Sequence, residues 1–329
     1  MNTLNVNEKR SKVNAAWRAY LKGGSSALSL EVPEQRDLNT GNSVPVPQDY
    51  SSEWTEAQKQ VGPIATLVNV SHQPTGRPLK HSTFDDTGST MTFLSEGGAT
   101  GSVEQYPTMF STVRGGSDTL VSTVLYSRQE ADDAEDIGEF LNRIAFRRGA
   151  RATEYALLSG KDNGTNTQLP NSPTNGILGN VTSGVTGVAT TGPTYAQMAA
   201  LAASVDVSYR NAPNAGFYVS SATFAYLVAQ TDSTGRPLYS FGDDGLLRVA
   251  GKPVYVAGSG AMQDYTVSGA PIVLFGDYSR FWKYVDGGGL RLRVLIERYS
   301  DIMVNALVIE QRLQAAALVS SAVKSMVTA

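Results

Sequence analysis

A single long amphipathic helix between Ser127 and Gly160 constrains the fold of this chain more than any other segment. Ser127 and Glu130 have the spacing of a capping box, in which each side chain accepts a backbone N–H at the helix start. Gly160 suits the left-handed conformation that ends many helices. Because a helix rises about 1.5 Å per residue, roughly thirty residues span about 45 Å. That length exceeds one small core, so we expect part of the helix surface to contact other subunits.

Two residues of this helix do not fit the surface of a monomer. The predicted apolar stripe consists of Ile137, Phe140, Leu141, Ile144, Ala152 and Tyr155. Arg148 falls within that stripe, whereas Phe146 points almost to the opposite side. Acidic residues dominate the first turns and four arginines the second half, which suits the helix dipole. We predict that the helix presents a subunit interface formed by Arg143, Phe146, Arg147, Arg148 and Arg151.

The composition argues against several classes of protein. The chain has 329 residues, enough for one large or two ordinary domains, and a formal net charge of -3. A nearly neutral chain argues against dedicated nucleic-acid binding. The absence of Cys excludes disulfides, thiolate metal sites and a cysteine nucleophile. No apolar run is as long as a membrane span, and the polar start lacks a signal-peptide core. We therefore expect a non-secreted protein with no membrane partner.

No pattern of catalytic, cofactor-binding or metal-binding residues emerges. A Ser–His–Asp triad would need His72 or His81, and no Gly-x-Ser-x-Gly motif is present. The separation of the two histidines matches no zinc-ligand spacing, so we interpret both as surface residues. Glycines 287–289 are not followed by the Lys-Ser/Thr pair of a phosphate-binding loop, and we predict a turn there. We therefore expect a protein that is not an enzyme and has no cofactor or metal.

The remaining segments predict an arm, a hairpin and separate groups of strands and helices. Residues 1–60 have little periodicity and predict an extended arm, which Trp17 and Tyr20 would anchor to a partner. Residues 64–70 predict a strand, and residues 71–110 a protruding two-stranded hairpin. Further strands are predicted at 119–126, 216–220, 253–257, 271–278, 290–298 and 302–313, and helices at 194–209 and 221–230. This order indicates an α+β fold.

An ordered series of short motifs runs through residues 40–329. It begins with Ser127-Arg128-Gln129-x-x-Asp132-Asp133-Ala134, Leu157-Leu158-x-Gly160 and Gly176-Ile177-Leu178. It continues with Asn214-x-x-Phe217-Tyr218-Val219, Asp232-x-x-Gly235-Arg236-Pro237-Leu238, Gly251-Lys252-Pro253-Val254 and Gly276-Asp277-Tyr278. No single motif is diagnostic, but the series as a whole resembles the major capsid proteins of tailed phages with the HK97-type fold.

The resemblance implies an HK97-like α+β architecture with four parts. These are an N-terminal arm (1–60), an extended β-hairpin loop (71–110), a peripheral domain (61–70, 111–189 and 286–312) with a spine helix (128–159), and an axial domain (190–285 and 313–329). The arm and the extended loop would lie over neighbouring subunits. The family architecture thus accounts for two segments that a monomer would leave without a partner.

The resemblance also implies a function. The chain would form pentamers and hexamers of an icosahedral phage head that encloses double-stranded DNA, assembled in the host cytoplasm and located in the virion. Scaffolding, portal and decoration proteins are the implied partners. A nearly neutral chain neutralises few phosphates, so contact with packaged DNA would be weak and non-specific.

The chain departs from the family in two respects. Only some fifty residues precede the predicted fold, so we expect a separate scaffolding protein, or none, rather than a cleaved extension. Lys80 is the single Lys of the predicted hairpin and precedes its tip. We interpret it as a solubilising charge on an edge strand and do not expect covalent cross-linking through it.

The sequence leaves two other functions open. An encapsulin-type nanocompartment shell shares the fold but encloses protein cargo, and such shells are typically shorter, without so long a hairpin and arm. A β-rich hydrolase or carbohydrate-binding module belongs to a different class, and the missing catalytic pattern counts against it. The contents of the particle, DNA or protein, distinguish the first alternative from a phage head.

Overall fold

The computed structural model describes residues 61–73, 79–85, 91, 93, 96–97, 108–115, 117–133, 137–258 and 260–329. The predicted arm, including Trp17 and Tyr20, lies outside the described residues. The helices are α1 (Ile64–Leu67), α2 (Arg128–Asp133), α3 (Ile137–Ser159), α4 (Gly176–Asn180), α5 (Tyr195–Ser204), α6 (Val207–Arg210), α7 (Ser221–Ala229) and α8 (Tyr278–Phe281). The strands are β1 (Asn69–His72), β2 (Leu79–Asp85), β3 (Thr108–Gly115), β4 (Asp118–Ser127), β5 (Thr182–Val188), β6 (Gly216–Val219), β7 (Ser240–Phe241), β8 (Leu247–Val249), β9 (Lys252–Val256), β10 (Pro271–Gly276), β11 (Trp282–Leu295), β12 (Val304–Ala317) and β13 (Val323–Thr328).

The strands of the described residues form three sheets. One has the order β1-β11-β12-β4, the second has the order β5-β13-β10-β6-β9-β8-β7, and the third pairs β2 with β3. Strands β2 and β3 are antiparallel, with Lys80 opposite Arg114, so the predicted pair of strands is present. The second strand runs over Thr108–Gly115 and lies mostly beyond the predicted limit at residue 110. Mixed sheets interleaved with helices confirm the predicted α+β class.

The described chain divides into two compact units. The small unit comprises Val121–Gly149 and Leu290–Glu310, and the large unit comprises residues 61–120, Ala150–Gly289 and Gln311–Ala329. In the small unit, one face of α3 packs on a sheet. Ile137, Leu141 and Ala145 of the helix form a buried cluster with Leu307 and Ile309 of β12. Their spacing along α3 is that of an apolar helix stripe. Ile137 and Leu141 belong to the predicted stripe, whereas Ala145 was not predicted, and Phe140 and Ile144 are only half-buried.

The large unit is built on the central strand β6, all four residues of which are buried. The strand pairs antiparallel with β10 and parallel with β9, and both of its faces are covered, as its continuous apolar run predicts. The rings of Phe217 and Phe275 lie 4.4 Å apart in one apolar cluster. On the other face, Tyr218 and Tyr278 belong to a second cluster that includes Trp282.

The predicted strand at residues 64–70 is wrong in its first half. Residues 64–67 form the short helix α1, and the strand begins only at Asn69. The carbonyl of Pro63 accepts hydrogen bonds from the amides of Thr66 and Leu67, at 2.9 and 3.2 Å. This single turn buries Ile64 and Leu67 on one side, which an extended chain could not do because successive side chains of a strand alternate.

The predicted turn at glycines 287–289 is also wrong, because these residues lie inside β11. A Cβ at Gly287 would meet the Cβ of Arg312 at 2.6 Å, so the neighbouring strand leaves no room for a side chain. Gly288 and Gly289 have φ angles of 106° and 75°, which most other residues avoid. The glycines therefore let the strand continue through backbone angles and a close approach that other residues would not tolerate.

The long helix largely confirms its prediction. Helical residues run over Arg128–Asp133 and Ile137–Ser159, and residues 134–136 lie outside the described part. The Ser127 hydroxyl accepts the amide of Gln129 at 3.2 Å, so Ser127 does act at the helix start. Gly160 has a φ angle of 67° and ends the helix. Strands β5 and β13 were not predicted, since neither shows a regular alternation of apolar and polar residues.

Candidate assembly surfaces

The face of α3 that points away from the small-unit core is exposed and contains an aromatic residue. Glu139, Arg143 and Phe146 are exposed at spacings of four and three residues, so they form one stripe. The Phe146 side chain is 64% exposed, which confirms its predicted position opposite the apolar stripe. Aromatic residues are enriched at protein interfaces, so this stripe is a candidate contact surface.

The outer face of β4 is a second exposed apolar surface. Val124 and Tyr126 point into the small-unit core, and the alternation of a strand places Val121 and Leu125 on the other side. These two side chains are 60% and 54% exposed. Strand β4 is also an edge strand, and no charged residue lies between Asp118 and Arg128. Lysines and prolines usually protect such an edge against pairing with other chains.

Further apolar side chains are exposed at one turn and between β2 and β3. Ile302 and Met303 are 59% and 69% exposed, and Met303 has a φ angle of 53°. A non-glycine residue in this left-handed region costs about 1 kcal/mol or more and is frequent at functional sites. Met91 and Phe93, from the segment between β2 and β3, are almost fully exposed.

Arg148 lies within the apolar stripe of α3 because its head group reaches the edge strand β4. Its Nη1 donates to the hydroxyl of Ser122 at 3.2 Å and, more weakly, to the carbonyl of Thr123 at 3.5 Å. Arg147 and Arg151 are half-buried, whereas Arg143 is exposed. The interface role of these four arginines and of Phe146 stays a prediction, and Trp17 and Tyr20 lie outside the described residues.

Acidic residues in the exposed loops of the large unit organise turns. The hydroxyl of Thr234 and the amides of Arg236 and Thr234 donate to Asp232 and lower the pKa of its carboxyl. The hydroxyl of Thr165 lowers the pKa of Asp162 in the same way; burial opposes this shift, and the amide of Thr165 adds to the lowering. These bonds favour the charged form because they are donated to it. Asp232 therefore belongs to a turn.

The described residues contain no group of three or more His, Asp or Glu that could hold a metal ion. His72 is exposed, as predicted, and its Nδ1 lies 2.9 Å from Oδ2 of Asp286. The pairing of β1 with β11 brings these two residues together across 214 positions of sequence, so the sequence alone did not indicate it. Among the described helices, none is both long and apolar enough to cross a membrane.

Sequence reasoning missed two buried carboxylates of the large unit. Asp118 is 4% exposed and accepts the amide and the side chain of Asn171, at 3.1 and 3.0 Å, and the hydroxyl of Ser172 at 3.0 Å. Glu154 is 2% exposed and accepts three hydrogen bonds. For Glu154, the available signal was an acidic residue directly before the apolar run Tyr155–Leu158. A carboxylate buried at such a place needs several donors.

Comparison with solved structures identifies the class of fold. A capsid of an empty GTA particle computed with C5 symmetry superposes with a TM-score of 0.67 at 19% identity, covering 89% of this chain and 100% of that chain. A structure from Gordonia phage Cozz gives 0.58 at 16% identity, with 87% and 92% covered. One from Mycobacterium phage Ogopogo gives 0.61 at 16%, with 84% and 94% covered. The architecture is that of the HK97-type capsid fold.

A family model identifies the family to which the chain belongs. The model of the phage capsid family matches residues 42–328, and the chain belongs to this family. A search of curated proteins by sequence finds no significant match. Family membership makes the chain a structural capsid subunit of a phage head, located in the virion as part of a shell-forming oligomer. It favours neither the nanocompartment shell nor the β-rich hydrolase.

Proposed function

We propose that this chain is the major capsid protein of a tailed phage, and that its copies assemble as pentamers and hexamers around double-stranded DNA. The observation that carries this proposal is the apolar surface of the small unit. Phe146 on its helix layer and Val121 and Leu125 on its sheet layer are each more than half exposed. A two-layer unit with apolar side chains on both outer surfaces suits a subunit covered from two sides.

The four-part division of the chain belongs to this proposal. The arm would be residues 1–60, the extended loop 71–110, the peripheral domain 61–70, 111–189 and 286–312, and the axial domain 190–285 and 313–329. The exposed Met91 and Phe93 support the assignment of the loop to a neighbouring copy. Many modest contacts of this kind, repeated by symmetry, stabilise a closed shell although each single contact is weak.

The remaining partners are also proposed. The chain would act without enzymatic activity, assemble in the host cytoplasm, and meet scaffolding, portal and decoration proteins of the same phage. Contact with packaged DNA would be weak, since the net charge is -3. Non-specific DNA binding grows with the number of phosphates that basic residues neutralise.

The test is the state of the purified protein. Sedimentation and electron microscopy of the chain, expressed alone and together with the neighbouring head genes of its phage, should show closed icosahedral particles. Nuclease treatment of virions should leave protected DNA inside particles whose most abundant protein is this chain. Virions in which this chain is a minor component, or shells that contain enzyme cargo instead of DNA, would contradict the proposal.

A further inference from the structure

The point at which residues 1–60 join the large unit is held by one buried carboxylate. Gly62 is buried, and its amide donates to Oε2 of Glu154 at 2.7 Å. Ile64, two residues later, is fully buried in the core. The described chain of the large unit therefore begins at a fixed position. Glu154 contributes from the last two turns of α3, which end at Ser159.

Glu154 also contacts two distant segments of the large unit. Its Oε1 accepts the hydroxyl of Tyr218, on β6, at 2.8 Å. The same oxygen accepts the amide of Gly258, just after β9, at 2.6 Å. Since Glu154 is only 2% exposed, its charge depends on these donors rather than on water. The carboxylate thus connects the segment before α1, the helix α3 and the central strands.

Tyr218 is suited to remain a donor in this site. Burial, together with the nearby charge of Glu154, raises the pKa of Tyr218 well above its usual range. The phenol consequently keeps its proton at any physiological pH and donates it to the carboxylate. Each oxygen of Glu154 is then used differently, because Oε2 accepts Gly62, and Oε1 accepts Tyr218 and Gly258.

The residue at position 62 has to be glycine for reasons of space. A Cβ there would overlap Oε1 of Glu154 and the hydroxyl oxygen of Tyr218, and would lie 2.9 Å from the carbonyl of Val256. Two of these three atoms belong to the site itself. The missing side chain at position 62 and the buried carboxylate at position 154 are therefore parts of one arrangement.

We propose that Glu154 is a positioning residue that fixes where the N-terminal arm leaves the subunit, through its bond to Gly62. The consequence for assembly rests on the proposed function, because an arm of about sixty residues reaches a defined neighbour only from a defined origin. A displaced origin adds conformational freedom that the arm must lose again when it is ordered on a partner.

Substitution by glutamine separates the contact with Gly62 from the other two. The amide side chain in Glu154→Gln would have a single oxygen, which can keep Tyr218 and Gly258 while its NH2 group faces the amide of Gly62, donor against donor. Glu154→Gln therefore releases Gly62 first. Tyr218→Phe is the matched control, because it removes one donor from Oε1 and leaves the bond between Gly62 and Oε2 intact. Gly62→Ala displaces the same segment by overlap with Oε1 of Glu154 and the hydroxyl of Tyr218, while the carboxylate at position 154 is retained.

The experiment measures amide hydrogen exchange over residues 61–68 in unassembled subunits, followed by assembly of the same samples. Glu154→Gln and Gly62→Ala should each accelerate exchange of this segment by about tenfold or more relative to the rest of the large unit, whereas Tyr218→Phe should not. The double variant Glu154→Gln/Gly62→Ala should exchange no faster in this segment than the faster of its two single variants. Unchanged exchange in Glu154→Gln, or equal acceleration in Tyr218→Phe, overturns the positioning role.

Assembly distinguishes this inference from the proposed function. If the wild-type chain forms shells, the two variants that release the segment should give at least several-fold fewer closed particles than Tyr218→Phe at equal subunit concentration. Normal shell yield from subunits with a released segment would overturn the assembly role of Glu154. If the wild-type chain forms no shells while the exchange result holds, the proposed function fails and the position of Gly62 is still set by Glu154.

Discussion

Replacing Phe146 with alanine should weaken assembly much more than it weakens the subunit. Complete burial of a phenylalanine side chain contributes about 1.5–3 kcal/mol. With 64% of Phe146 exposed, about a third of that, roughly 0.5–1 kcal/mol, stabilises the subunit itself. The other two thirds, about 1–2 kcal/mol, become available only when a neighbour covers the ring. The critical concentration for assembly should therefore rise about five- to thirtyfold.

Light scattering over a series of subunit concentrations gives the critical concentration, and denaturant unfolding of unassembled subunits gives the stability. Leu141→Ala is the matched control on the opposite face of α3, where the side chain is 2% exposed. It should cost the subunit about 2–5 kcal/mol, because it leaves a cavity in the small-unit core. An unchanged critical concentration for Phe146→Ala, or a loss of subunit stability as large as that of Leu141→Ala, would refute the reasoning.

Three further predictions concern charge, a buried carboxylate and pH. Arg143→Glu should change the stability of the subunit by no more than about 0.5 kcal/mol, since Arg143 is exposed. It should lower the shell yield most at low salt, where charges are least screened. A loss of yield that does not depend on salt would argue against an electrostatic contact. Asp118→Ala should cost about 1–3 kcal/mol in denaturant unfolding and expose residues 161–175 to protease before global unfolding, because Asn171 and Ser172 lose their acceptor; unaltered proteolysis there would exclude this role. Burial, and to a lesser extent the charge of Asp286, raises the pKa of Tyr284 to about 12. The contribution of the protonated Tyr284 to the free energy of unfolding is therefore complete below about pH 10 and is lost as the pH rises towards 12. Tyr284→Phe should flatten the fall of stability over that range, and an unchanged stability profile would contradict the raised pKa.

Local sequence patterns predicted the elements whose signals lie within a few residues. The long helix could be predicted to end at Gly160 because a left-handed residue is a local requirement. The predicted helix start at residue 194 is confirmed, because Thr194 and Gln197 form a capping box there. Strand β6 could be predicted because a central strand is apolar on both faces, so its burial appears as a continuous run.

Features that depend on distant contacts could not be predicted in this way. The donors to Glu154 lie 92, 64 and 104 positions away, so the sequence shows an acid directly before an apolar run and no partner for it. The glycines of β11 have the composition of a turn, and only the position of Arg312 shows that they lie in a strand. Arg148 was recognised as misplaced, but its contact with β4 depends on how α3 packs on the sheet.

A structure of the assembled particle at side-chain resolution tests the central claim most directly. We expect a closed shell in which Phe146, Val121 and Leu125 of each copy are buried against neighbouring copies. Phe146 lies on the helix layer of the small unit, and Val121 and Leu125 lie on its sheet layer. A shell in which these three side chains remain as exposed as in the isolated chain would contradict it, and so would virions whose shell is formed by another protein.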